Sequence, residues 1–256
     1  MNYTVCCVPV SPLRATPSHT SEMVSQQLFG EKSVVILQEK DAWVRIRQKY
    51  DGYEGWCQRS HLAEIEEEQF TRLDTDLTAG WVNEVEYNGH VMQVPLGSLL
   101  SSFRNGKAFW RKNTVHFKGE IWNPAEIIIS KKLVRQVAYQ YLNTSYLWGG
   151  KSVFGIDCSG LTQMVYKFLN VALPRDAWQQ AEQGSVVNFL QEAACGDLAF
   201  FDNDEGRIVH VGILLSELEI LHASGKVRID KIDSQGILNL ETNLRSHRLR
   251  IIKRFF

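Results

Sequence analysis

A nucleophile and its base can be built from cysteine and histidine, and one cysteine in this chain is set apart by its surroundings. Cys158 lies within YLWGGKSVFGIDCSGLTQMVYKFL, residues 146–169. After it, Leu161, Val165, Phe168 and Leu169 recur at helical spacing, whereas Trp148, Gly149, Gly150 and Gly155 before it read as loop. The pattern predicts a helix that starts at or next to Asp157-Cys158. A thiol there meets unpaired backbone N–H groups and the positive end of the helix dipole, both of which favour thiolate. The same N–H groups can hold an oxyanion. Taken alone, such a cysteine is more often a small buried hydrophobe.

Its partners are sought in GDLAFFDNDEGRIVHVGILLSELEILHASGKVRID, residues 196–230, which reads as short strands joined by polar turns. His210 shares its alternation with Ile208 and Gly212, and His222 with Ile220, so each imidazole occupies one face of its strand. A short turn over Ser216–Glu219 makes the two strands antiparallel neighbours. One histidine could then serve Cys158 as general base while the other holds its tautomer, the logic of a catalytic triad with histidine in third place. A zinc site of the same residues is the competing chemistry, but paired ligands of C-x-x-C type are absent. The expectation is no metal and no cofactor.

These residues fall into an ordered set of motifs: Tyr146-x-Trp148-Gly149-Gly150, Asp157-Cys158-Ser159-Gly160, Leu173-Pro174-Arg175, Gly196-Asp197-Leu198, His210-Val211-Gly212 and His222-Ala223-Ser224. Over roughly residues 127–256 the chain thereby resembles the NlpC-type bacterial cell-wall cysteine peptidases, a papain-like group. The resemblance implies Cys158 as nucleophile, His210 as base, His222 as orienting residue and Tyr146 near the oxyanion.

The elements that must position these groups form an α+β arrangement. SKKLVRQVAYQYL predicts a helix with Leu133, Val137 and Tyr141 on one face, leading into the Tyr146 loop and the Cys158 helix. The later strands, ending in RLRIIKRFF, complete a catalytic domain over 126–256. Arg175-Asp176, in the turn after the nucleophile helix, reads either as an exposed ion-paired loop or as a substrate contact.

Upstream, residues 1–65 alternate short β-rich segments with turns, and Trp43-Val44-Arg45-Ile46 followed by Tyr53-Glu54-Gly55-Trp56 resembles the bacterial SH3-like domain. The acidic run from Glu64 to Glu68 marks a boundary. Residues 66–125 are again β-rich and glycine-punctuated, and a second, divergent SH3-like barrel is expected there. The expected fold is therefore a papain-like NlpC-type domain preceded by two small all-β barrels.

The chain has 256 residues, 44% of them hydrophobic and 22% charged, values of an ordinary globular protein. A formal net charge of −1 without a basic stripe argues against nucleic acid as partner. No apolar run approaches the roughly 20 residues that span a bilayer. Five cysteines in no framework-like spacing suggest a reducing compartment, and the N-terminus does not look like a signal peptide. A cytoplasmic location is expected.

Within the family, such members resemble γ-D-glutamyl-diamino-acid endopeptidases that cut L-Ala-γ-D-Glu-diaminopimelate fragments during wall recycling. By that resemblance Asp176, Glu22 and Tyr53 stand near the substrate ammonium, with Asp157 and Ser159 beside the nucleophile. Ala177 is a departure, because related enzymes often carry a hydroxyl there. An acyltransferase or amidase using the same Cys-His pair, and a non-catalytic wall-binding protein, are the alternatives. Residue identities leave the diamino acid and the oligomeric state open.

Overall fold

Residues 2–38 and 42–256 are described by the structure, a computed structural model. The chain divides into two compact units, Met1–Ile127 with Trp148–Phe154, and Ile128–Leu147 with Gly155–Phe256. The loop Trp148–Phe154, which holds part of the motif before Cys158, thus groups with the N-terminal half.

In the first unit, seven antiparallel strands between Asn2 and Glu64 form one sheet. Val44 and Ile46, alternate residues of the strand Trp43–Gln48, point inward against Leu13, Cys57 and Leu62. The middle segment does not close a barrel around a core of its own. It forms a four-stranded antiparallel sheet, from Val82–Tyr87 to Asn113–Phe117, and a separate two-stranded pair, Leu77–Thr78 with Ile121–Trp122. Val85, Val94, Trp110, Val115 and Phe117 of that segment share one buried cluster with Val5, Phe29, Ala63 and Ile65. The apolar residues on either side of the expected boundary at Glu64–Glu68 thus bury one another. Trp110 belongs to this core, but Trp81 and Phe109 are half exposed or more.

In the second unit, the helix Lys131–Tyr139 is capped by Ser130, whose Oγ accepts from the Leu133 N–H, and it buries Val134, Val137 and Ala138. The nucleophile helix, Cys158–Phe168, is buried along its whole length. Among its buried polar residues, Thr162 donates to the Ser159 carbonyl and the Gln163 Nε2 to that of Leu173, beyond the helix end. It packs on the strand Ile208–Leu214 of a seven-stranded antiparallel sheet. Gly196-Asp197-Leu198 is structural, since Asp197 accepts from Arg254 at 2.8 and 2.7 Å and from the Ala194 N–H at 2.7 Å. No helix among the described residues is long and apolar enough to cross a membrane.

Candidate active site

The residue before the nucleophile explains why the helix starts where it does. Asp157 is the N-cap, and its carboxylate accepts from the Gly160 N–H at 2.7 Å. Arg175 clamps the same carboxylate through two nitrogens, at 3.0 and 2.5 Å, and reaches the Ser159 hydroxyl at 2.8 Å. Both side chains are buried, so the exposed-loop reading of Arg175 is replaced by a buried, bidentate ion pair. The planar guanidinium fits one carboxylate edge-on while touching Ser159, which a lysine could not do. Asp157 and Ser159 therefore brace the backbone on either side of Cys158, the candidate nucleophile.

The helix start does not leave Cys158 as a resting thiolate. Burial pushes its thiol up to about 12, and the Asp157 charge adds to this. The backbone amides of Val211 and Ser159 and the charge of Arg175 act the other way and are outweighed. The helix N-terminus is visible in the sequence, whereas desolvation of the thiol is a property of the folded chain. Cys158 needs a base.

The candidate for that role, His210, lies on the strand whose Val211 amide meets the sulfur. His210 and His222 occupy neighbouring antiparallel strands, in which Gly212 stands opposite His222. A Cβ at residue 212 would come within 2.9 Å of the His222 Cβ, so glycine is what lets the two strands close at this point. The His210 Nε2 then lies 2.9 Å from the His222 Nδ1. The other His222 nitrogen, Nε2, lies 3.0 Å from the Asp230 carboxylate.

Asp230 decides the direction of this chain of hydrogen bonds. It is fully buried, and although burial raises its carboxyl, hydrogen bonds from His222, the Leu240 N–H and Arg228 hold it at about 2. An ionised Asp230 can only accept, so the His222 Nε2 carries the proton and Nδ1 is left to accept from the His210 Nε2–H. The His210 Nδ1 is then a lone pair. Burial, followed by the neighbouring His247 and His222, lowers the His210 pKa well below its ordinary value, so this lone pair is unprotonated at neutral pH.

Tyr146 is half-buried, its N–H donating to the Gly225 carbonyl and its backbone bridged to Ile156. Burial raises its phenol to about 12, and the charges of Cys158 and Asp157 contribute. A phenol O–H that stays protonated beside the nucleophile can donate to an oxyanion. Asp176 is the half-buried N-cap of the short helix Ala177–Ala181, in a reciprocal capping box with Gln179. Glu22 and Tyr53 belong to the first unit. Glu22 accepts from the Trp148 indole N–H at 2.7 Å, and Tyr53 is half-buried with its N–H on the Asp51 carboxylate.

Asp230 and His247 have no role assigned from the sequence, and Arg175 has two open readings there. His247 lies face to face with His210, ring centres 4.0 Å apart and planes 21° apart. Cys6, Cys7, Cys57 and Cys195 are free thiols raised by burial, in keeping with structural roles.

Comparison with known proteins joins this geometry to a family. The NlpC/P60 family profile matches residues 143–245, and that of the bacterial dipeptidyl-peptidase SH3 domain matches residues 13–62. A probable endopeptidase of Haemophilus influenzae is 34% identical over 126 residues, covering 48% of this chain and 73% of that protein. The chain belongs to the NlpC/P60 family. It is a cysteine peptidase with an SH3 domain in its N-terminal region. The γ-D-glutamyl-L-lysine dipeptidyl-peptidase of Bacillus subtilis is 28% identical over 249 residues, 91% of this chain and 81% of that one. An NlpC/P60 family protein of Bacillus cereus has the same fold, with a TM-score of 0.79 at 19% identity over 98% of this chain and 99% of the other. The SH3 match covers residues 13–62 and does not extend to the β-rich middle segment.

Proposed function

We propose that this NlpC/P60 peptidase hydrolyses the γ-D-glutamyl–diamino acid bond of murein peptides with a free N-terminal L-Ala, through Cys158, His210 and His222. The observation that carries the mechanism is the chain from Asp230 through His222 to His210, which supports a lone pair on the His210 Nδ1. That nitrogen takes the Cys158 proton as sulfur attacks the γ-carbonyl carbon. The tetrahedral oxyanion is met by N–H groups at the helix start and by the Tyr146 hydroxyl. His210 next gives its proton to the departing amine of the diamino acid, leaving a thioester on Cys158. Water, deprotonated by His210, attacks the thioester and frees the D-glutamyl γ-carboxylate and the thiol.

The substrate class is supported by relatives named γ-D-glutamyl-L-lysine dipeptidyl-peptidase in Bacillus subtilis and Bacillus cereus, and dipeptidyl-peptidase 6 in Lysinibacillus sphaericus. A carboxylate suits an ammonium held out of water, and Asp176 is the candidate in the catalytic unit. Five free thiols favour a reducing compartment, so the proposed setting is cytoplasmic recycling of wall peptides. The test is mass spectrometry of L-Ala-γ-D-Glu-L-Lys and L-Ala-γ-D-Glu-diaminopimelate after incubation with the enzyme and with Cys158→Ala. Release of L-Ala-D-Glu by the wild type alone is expected. Cleavage at another bond, or equal cleavage by the variant, defeats the assignment.

A further inference from the structure

Three imidazoles converge beside the nucleophile, one more than the proposed chemistry uses. His210, His222 and His247 each offer a ring nitrogen, and the three nitrogens lie within 4.8 Å of one another. The His210 and His222 rings are nearly perpendicular, at 86°, which brings Nε2 of one to within 2.9 Å of Nδ1 of the other. His247, on the strand Arg245–Arg254, lies flat against His210 and is half-buried. Its carbonyl would be 1.8 Å from a Cβ at Gly236, so the glycine lets the neighbouring strand close against it.

We propose that these three histidines form an inhibitory site for a divalent cation of the zinc class. Imidazole donors suit zinc, copper and nickel, whereas calcium and magnesium demand oxygen. Three nitrogens with a fourth position left for water is a coordination that zinc adopts. The second requirement of such a site is a group that orients a ligand from behind, and Asp230 already does this at 3.0 Å from the far nitrogen of His222. With zinc–nitrogen bonds of roughly 2.0–2.1 Å, tetrahedral ligands stand about 3.3 Å apart. The His210–His222 pair must open by about 0.4 Å, and the widest of the three separations must close by about 1.5 Å. The His247 ring, stacked at 21° on that of His210, must also turn about its side-chain bonds to aim a nitrogen at the shared point, and as the half-buried member of the three it is the one that faces solvent.

The consequence for the enzyme follows from the proton on His210. In the metal-free chain its Nε2–H donates to His222 and its Nδ1 lone pair is the base. A metal binds Nε2 only through a lone pair on that atom, so the ring's single proton leaves Nε2 for water and one is taken up from water at Nδ1, with none gained or lost overall. Nδ1 is then a donor and cannot accept the thiol proton. His222 keeps its Nε2–H on Asp230 and binds through Nδ1. Zinc occupancy therefore stops acylation without touching sulfur.

This inference rests on the reading of His210 as base, but binding can be measured without turnover. Zinc alone is titrated by calorimetry into chelator-treated Cys158→Ser protein, then into Cys158→Ser with His247→Gln or with His247→Phe, which retains the stacked ring without a donor. One zinc per chain is expected in Cys158→Ser, with affinity falling about tenfold or more in both His247 variants. In the enzyme, zinc inhibition measured against each protein's own metal-free rate should weaken by the same factor. Cobalt bound to Cys158→Ser and to the wild type should give one spectrum, with no sulfur-to-cobalt charge-transfer band. Loss of binding in Cys158→Ser, or unchanged affinity in folded His247 variants, overturns the site. Three-histidine binding by a chain that cleaves no murein peptide would instead count against the proposed function.

Discussion

The His222 Nε2 lies 3.0 Å from the Asp230 carboxylate, and this contact fixes where every proton in the candidate catalytic chain resides. Asp230 is itself anchored by Arg228, at 2.8 Å, and by the Leu240 N–H, at 2.9 Å. An asparagine at residue 230 preserves size but can present an N–H to His222. The histidine would then hold its proton on Nδ1, and His210 would lose the acceptor that keeps its own Nδ1 free.

Asp230→Asn should therefore lower kcat by about a hundredfold or more while KM changes little. Steady-state kinetics on a variant with native circular dichroism provides the check. A kcat within about twofold of wild type would show that the tautomer is set elsewhere.

How legible this was in the sequence differs from residue to residue. The placement of Cys158, His210 and His222 was legible because each depends on local periodicity: the helix does begin at Cys158, and the two histidines do lie on antiparallel neighbours. Asp230 carried a usable signal. The hairpin at Gly225 pairs His222 with Arg228, so residues 222, 228 and 230 share one face by parity. His247 carried none, because its strand reaches the site only through pairings with distant strands. Arg175 was ambiguous because a charged residue beside proline reads as surface, and nothing local announces a buried carboxylate 18 positions upstream. For the middle segment, strand spacing does not say which core a strand fills, and its buried residues share a cluster with Val5, Phe29, Ala63 and Ile65.

The pH dependence of kcat/KM for metal-free enzyme should keep a low acid limb. His210 acts as a base only when neutral, and its pKa is lowered well below 6.5 by burial and by the adjacent histidines. A depressed pKa keeps the base form as pH falls, so activity should persist below pH 6.5 and disappear only as the depressed value is passed. The Cys158 thiol, at about 12, imposes no loss at moderately alkaline pH. An acid limb at or above the ordinary histidine value would contradict this environment.

Alkylation of Cys158 by iodoacetamide should be slow at neutral pH and rise about tenfold per pH unit up to about pH 9, without a plateau. The reason is the thiol's position at about 12, which leaves a thiolate fraction that keeps growing. Site-resolved mass spectrometry follows the reaction. A plateau near neutrality would mean that a thiolate–imidazolium pair exists at rest.

Arg175→Met should destabilise the chain by about 3–5 kcal/mol, because it leaves the buried Asp157 carboxylate without its partner. Arg175→Lys should fall between, keeping charge but losing the two-point clamp. Urea unfolding monitored by tryptophan fluorescence measures both. A loss under about 1 kcal/mol for Arg175→Met would put this pair in the class of solvent-screened surface bridges.

Amine recognition can be separated from helix capping at Asp176 by a single substitution. Asparagine caps a helix about as well as aspartate, so Asp176→Asn should leave the short helix Ala177–Ala181 intact while removing the charge. A desolvated ammonium that loses its carboxylate partner costs about 2–5 kcal/mol, or roughly thirtyfold or more in kcat/KM. An N-acetylated substrate has no charge to lose, so the same substitution should scarcely change its already poor cleavage. The measurement is kcat/KM for L-Ala-γ-D-Glu-L-Lys and its N-acetyl form, in wild type and Asp176→Asn. Equal wild-type cleavage of the two peptides would rule out recognition of the free amine, and an undiminished preference in the variant would take that role away from Asp176.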